Sequence, residues 1–242
     1  AKQGYRVLVI DADLGLANID LHFGLTPKFN LNHFFAGEKQ LREILIETAD
    51  GIMILPAGSG VQKYTRLESG EKVRLMEEID LLHGRFDVVL IDTEAGISEN
   101  VTYFLLAAQE IVVVTTPEPA ALSDAYALMK LISTMFKEKC FKLIVNSVAT
   151  ENEALETYQK LTMVSSRFTD VSIDFLGSIP LDKRFSDSVR KQKTLVELFP
   201  KSQPTLAFAE LVENIGLKSG KPAQKGSMQF FWENMLSCSE AL

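Results

Sequence analysis

Six short apolar runs punctuate the chain, and the stretches between most of them repeat their apolar residues at helical spacing. The first, "RVLVID" (6–11), leads straight into the acids Asp11 and Asp13; the others are "GIMILPA" (51–57), "FDVVLIDT" (86–93), "EIVVVTT" (110–116), "FKLIVNSV" (141–148) and "SIDFLGSIP" (172–180). Several are β-branched and apolar at consecutive positions instead of alternating. That is the pattern of strands covered on both faces, as in a parallel sheet. The helical stretches are "EKVRLMEEIDLLHGR" (71–85), "SENVTYFLLAAQ" (98–109), "LSDAYALMKLISTMFKE" (122–138) and "EALETYQKLTMVSSRFT" (153–169). Strand and helix in alternation predict an α/β fold: a doubly wound, mostly parallel sheet with helices on both faces and right-handed crossovers.

The pattern changes at both ends. After "PTLAFAELVENIG" (204–216), "LKSGKPAQKGS" (217–227) is rich in Lys, Gly and Ser and reads as a linker. The last segment, 228–242, contains "MQFFWENML" with apolar residues at near-helical spacing, which fits an amphipathic helix. The expected organisation is one domain over 1–216, a linker and this C-terminal segment. At the other end, Gly4 reads as a helix C-cap ahead of the first strand, so a helix upstream of Ala1 is expected.

Composition adds bounds. With 242 residues, 46% hydrophobic and 24% charged, the chain suits one large globular domain. A net charge of -7 argues against a nucleic-acid backbone as partner. Cys140 and Cys238, the two cysteines, make neither a disulfide framework nor a zinc set, which fits a reducing cytoplasm. No apolar run is long enough to cross a bilayer.

In an open parallel sheet ligands bind at the carboxyl ends of the strands. There the runs end in Asp11 and Asp13; Pro56 and Gly58; Asp92, Thr93 and Gly96; Thr115 and Thr116; Asn146; and Pro180 with Asp182. Taken singly, each has a plain reading: an N-cap acid, a turn amide, a hydrophobic strand that happens to end in Asp. Taken together in order they form an edge of hard oxygen donors, which suits Mg²⁺ and phosphates.

These segments resemble the MinD/ParA group of P-loop ATPases. "RVLVIDADLGLANIDLHFGL" (6–25) is similar to the group's acid-bearing second strand, and "VLIDTEAGISENVTYFLLAAQEIVVVTTPEPAALSDAYALMK" (89–130) to its second switch region. "GSIPLDKRFSDSVRKQKTLVELFPKSQPTLAFAEL" (177–211) looks like its nucleotide-side loop and last helices. More narrowly, the whole resembles the FlhG (also FleN) branch, MinD-like regulators of flagellar number and placement. The resemblance implies that ATP or ADP and Mg²⁺ are cofactors. Asp13 would position the attacking water, and Asp11 would lie near the metal and phosphates. Asp92 would contact Mg²⁺ through water, and Gly96 would sit near the γ-phosphate. Asn146 would read adenine, with Pro180 and Asp182 beside the base. The chemistry would be phosphoryl transfer, done mostly by positioning and charge neutralisation. Implied partners are a second copy in an ATP-dependent dimer, a flagellar GTPase of signal-recognition type, a flagellar transcriptional activator and switch-complex proteins. The tail, over 228–236, would touch the inner face of the plasma membrane transiently; Lys218, Lys221 and Lys225 suit anionic lipid, whereas Glu233 and Glu240 do not. The competing expectation is that its aromatic residues dock on protein.

Two departures qualify this. No G-K-G-G-x-G-K-[ST] phosphate loop occurs in the sequence; its strand and loop are expected upstream of Ala1. Without them the chain is expected to hydrolyse ATP poorly and to expose a strand edge in mid-sheet, an aggregation hazard. Glu94 stands where the group has a small residue, and an acid there would repel the γ-phosphate unless it points away. The alternative function is therefore a degenerate, non-hydrolysing binding protein. A DxD phosphohydrolase ranks lower, because "ADLGLAN" lacks the Gly-Thr that usually follows the second acid. A DNA-partitioning relative is disfavoured by the charge.

Overall fold

The computed structural model describes residues 1–58, 66–82 and 84–216. The linker and C-terminal segment expected over 217–242 lie outside the described residues. The chain divides into two compact units, one built on Ala1–Gln109 and the other beginning at Glu110.

The first unit holds a four-stranded sheet in the order β2-β3-β1-β4, with β1 Val7–Asp11, β2 Ile46–Glu47, β3 Met53–Leu55 and β4 Val88–Asp92. β1 runs parallel to both β3 and β4, and Asp11 pairs in register with Asp92. β2 adds antiparallel to β3; it is only two residues long, too short for the sequence pattern to have registered. An ionic fork fixes the β1–β4 register at its start. Asp87 accepts from the Arg6 backbone N–H (2.7 Å) and from its guanidinium (2.7 and 3.2 Å), which also donates to the Gly84 carbonyl at 2.8 Å. Side chains of Leu8, Ile10, Leu31, Phe34, Leu41, Ile44, Leu55, Leu75, Ile79 and Phe104 fill the core with almost no exposure. Burying each contributes about 1.5–3 kcal/mol. They come from the strands and from α2 Leu31–Phe35, α3 Leu41–Ile44, α4 Ser69–Asp80 and α5 Glu99–Ala107; α1 Ile19–His22 lies ahead of them in the chain. Helices α4 and α5 match the predicted helical stretches within a few residues. Helices α1, α2 and α3 are single turns, below the length at which periodicity is readable.

The second unit holds a three-stranded parallel sheet in the order β5-β6-β7: Val112–Thr115, Cys140–Val148 and Ser172–Pro180. Its helices are α6 Pro119–Phe136, α7 Glu151–Phe168, α8 Arg184–Arg190, α9 Leu195–Leu198 and α10 Gln203–Ile215. Both faces of this sheet carry helices, as consecutive residues of β7 show. Phe175 stacks on Tyr158 of α7 at 5.2 Å, while Leu176, pointing the other way, packs with Leu211 of α10. The doubly wound reading holds here, and all six predicted strands are present.

Among the described strands, β2 and β4 edge the first sheet and β5 and β7 the second; of these, β4 exposes Leu90 to 51% and β5 exposes Val114 to 59%. Both carry β-branched or aliphatic side chains of the kind usually covered by a neighbour.

Candidate functional site

In the first unit the acids converge because β1 and β4 are parallel neighbours in register. Asp11 and Asp92 end the two strands side by side, and the Asp92 carbonyl accepts from Ala12 N–H at 2.8 Å. The chain leaving β1 therefore passes directly beside the end of β4.

Asp11 is buried, 2% exposed. Its Oδ1 accepts from the backbone of Asp13 at 3.2 Å, and its Oδ2 from Asn18 (3.2 Å) and Ile19 (3.4 Å). These bonds fold the loop 12–19 back over the strand end. Burial nevertheless pushes the carboxyl up to about 6; the backbone donors oppose this and the charge of Asp92 adds to it. Asp13 is half-buried, with Oδ1 accepting from Gly15 (3.2 Å) and Leu16 (2.8 Å), an Asx-type turn. Among the described residues no hydrogen bond reaches its Oδ2. Asp92 is raised by partial desolvation and then by the charge of Asp13, while His22 opposes. Three carboxylates thus feel one another across two strand ends.

This arrangement suits a cation held through water more than one bound directly. The oxygens of Asp11 are taken up by backbone donors. Among the described residues no three His, Cys, Asp or Glu side chains form a ready-made metal cluster. Mg²⁺ keeps most of its waters and tolerates such carboxylates at one remove, so Asp92 and Asp13 fit it as outer ligands. Asp11, expected from the sequence as a metal-side and catalytic acid, also anchors the loop that carries Asp13.

Beyond β4 the chain turns at Gly96, whose φ of 104° is open to glycine alone without strain. It enters α5 at Ser98, whose hydroxyl accepts from Val101 N–H at 3.2 Å and donates to Glu94 Oε1 at 2.5 Å. The acid that the sequence flagged as a hazard is thus turned to the helix start. Arg66 forks onto Glu99 at 2.7 and 3.0 Å, and Leu67 N–H donates to the buried Asn100 at 3.1 Å. The sequence reading passed over Ser98 and His22. A Ser followed by Glu99 at a helix start was a legible cap signal; the position of His22 had none.

In the second unit Asn146 lies on β6 in register with Ile179 of β7, one step from Pro180, which pairs with Val148. Asn146 Oδ1 accepts from Ser147 N–H at 2.8 Å, and Ser147 has a φ of 58°. Asp182 is occupied by its own loop: Arg184 donates to it from the backbone and from the guanidinium, both at 2.8 Å. The three residues expected beside the base therefore gather at the carboxyl ends of β6 and β7.

A family model described as an AAA domain matches residues 1–145. The antiactivator FleN of Pseudomonas aeruginosa is 36% identical over 236 residues, covering 98% of this chain and 84% of that protein. The flagellum site-determining protein YlxH of Helicobacter pylori is 32% identical, covering 98% and 79%. Among solved structures, the MinC:MinD cell division complex of Aquifex aeolicus superposes with a TM-score of 0.74 at 22% identity, over 94% of this chain and 89% of that one. The septum site-determining protein MinD of Pyrococcus horikoshii, complexed with Mg-ADP, gives 0.69 at 24% identity, over 92% and 88%. Parallel strands ending in acids, the glycine turn before α5 and these likenesses have one source: the chain belongs to the MinD/ParA-type P-loop ATPases and is similar, within them, to the flagellar proteins FleN and YlxH.

Proposed function

We propose that the protein is an ATP-driven switch that controls flagellar number or placement. The observation that carries this is the convergence of Asp11, Asp13 and Asp92 on two paired strand ends, in a chain that aligns along 98% of its length with FleN and YlxH. Asp13 would orient the attacking water through Oδ2, since its other oxygen is fixed by the turn. Asp92 would hold waters of a bound Mg²⁺, which when present supplies charge neutralisation at the phosphates. Asn146, Pro180 and Asp182 would recognise the adenine.

Exposed aliphatic side chains support a second copy as partner in the ATP state. Leu16 is 77% and Ile97 53% exposed, on the two loops that carry Asp13 and Gly96, and Leu21 of α1 is 55% exposed. Partners of flagellar assembly, a cytoplasmic location and transient membrane contact through 228–236 belong to the same proposal. No described helix is long and apolar enough to cross a membrane.

The test is Asp13→Ala in the native protein. ATP binding is expected within about twofold of wild type, and turnover is expected to fall by 10²–10⁴-fold, the usual worth of a positioned proton-handling group. Unchanged turnover would reject the assignment of Asp13. ATP binding without turnover in the wild type would favour the non-hydrolysing reading.

A further inference from the structure

We infer that Glu94 is a positioning residue of the nucleotide site: its carboxylate clasps the Ser98 hydroxyl and holds the turn between β4 and α5 in its working shape. For its functional consequence this rests on the ATPase reading above; the clasp itself rests on geometry alone.

Ser98 has one hydroxyl proton and two lone pairs. The proton goes to Glu94 Oε1 at 2.5 Å, a separation typical of a charge-assisted O–H···O⁻ bond, and a lone pair takes the Val101 N–H at 3.2 Å. One atom thus closes the turn and caps the helix. The turn so closed contains Gly96, at φ 104°, and opens at Asp92, the acid facing Asp13. Each of its ends is held: Asp92 through its carbonyl to Ala12, and Ser98 through Glu94. An i,i+4 bond that spans a glycine replaces conformational freedom that glycine would otherwise leave in the loop.

The charge of Glu94 also has a local counterweight. Carboxylates at a helix N-terminus are stabilised by its partial positive charge, and α5 is nine residues long. The second acid at this end, Glu99, is held by the Arg66 fork. So the helix start collects two acids, each with its own donor. Glu94 is turned toward the helix start by the Ser98 hydroxyl.

Repulsion and clasp predict opposite results for conservative variants. Glu94→Gln removes the charge but keeps an oxygen that can accept from Ser98; Glu94→Ala removes both. We would measure ATP affinity across a Mg²⁺ titration and amide hydrogen exchange at Val101, in wild type, Glu94→Gln, Glu94→Ala, Ser98→Ala and Glu94→Ala/Ser98→Ala. The clasp predicts that Glu94→Gln stays within about threefold of wild type in both readouts. Glu94→Ala weakens Mg²⁺-dependent ATP binding and speeds Val101 exchange, each by about tenfold, the worth of one charge-assisted hydrogen bond. The double variant is no worse than Ser98→Ala, since both remove the same bond. Tighter ATP binding in both Glu94 variants would overturn the inference in favour of repulsion, and so would unchanged Val101 exchange in Glu94→Ala. If the wild type binds no ATP the ATPase reading fails, and the exchange data alone decide the clasp.

Discussion

Asp11 illustrates how one residue serves two demands. The loop 12–19 needs an acceptor at the strand end, and a buried carboxylate provides two oxygens for three backbone donors. Burial disfavours the charge, so the folded state holds the proton up to about pH 6 while the unfolded chain releases it near 3.8. Between those values the folded state binds more protons, so its contribution to stability is full below about 3.8 and is lost as pH rises through about 6. We predict that the melting temperature of wild type falls relative to that of Asp11→Asn as pH goes from about 4 to about 7. A melting-temperature difference that is flat with pH would show that Asp11 is not the group that titrates. The pair Asp11 and Asp13 was legible in the sequence, because acids after an aliphatic run mark a strand end. Their division of labour was not, since it depends on which backbone amides the loop folds onto them.

At the scale of elements, the long strands and helices were readable because their periodicity runs over many residues, and the single-turn helices were not. Gly177 shows what a pattern can hide. It sits within the apolar run "SIDFLGSIP", yet the β6–β7 register shifts beside it, between Leu143 and Ile144. Its φ is 143°, and a Cβ there would come within 3.0 Å of Leu211 Cδ2 on α10. The helix is also fixed one residue away, where Asn214 Nδ2 donates to the Leu176 carbonyl at 2.7 Å. An isolated glycine in a strand was the available signal of a bulge or a close approach. We predict that Gly177→Ala destabilises the second unit by about 1–3 kcal/mol through overpacking and strain. A companion Leu211→Ala change should relieve part of the clash, and denaturant melts of the two single variants and the double measure it. Additive losses would mean that helix and strand are not in contact at this point.

At the scale of the molecule, alternation of strand and helix gave the fold class, because strands covered on both faces leave consecutive apolar runs and the helices that cover them fall between those runs. The same alternation said nothing of the short antiparallel β2, nor of which strands would be neighbours: β1 lies between β3 and β4, an order that only packing decides. It is this order that sets Asp11 beside Asp92 and makes the segment 12–25, which includes α1, and the turn 93–98 follow neighbouring strand ends. Those segments expose Leu16, Leu21 and Ile97, large aliphatic side chains standing in water. Two copies meeting there would bury them, and a nucleotide that reshapes either loop would govern the meeting. We predict that the Asp13→Ala protein, loaded with Mg·ATP and stalled before turnover, doubles its mass by light scattering, and that ADP leaves it single. Adding Leu16→Glu should leave ATP affinity within about threefold and abolish the doubling, because a charge buried in an apolar contact costs several kcal/mol. A mass that stays single with ATP would remove the dimer from the proposed switch; a doubling that survives Leu16→Glu would move the interface elsewhere on the surface.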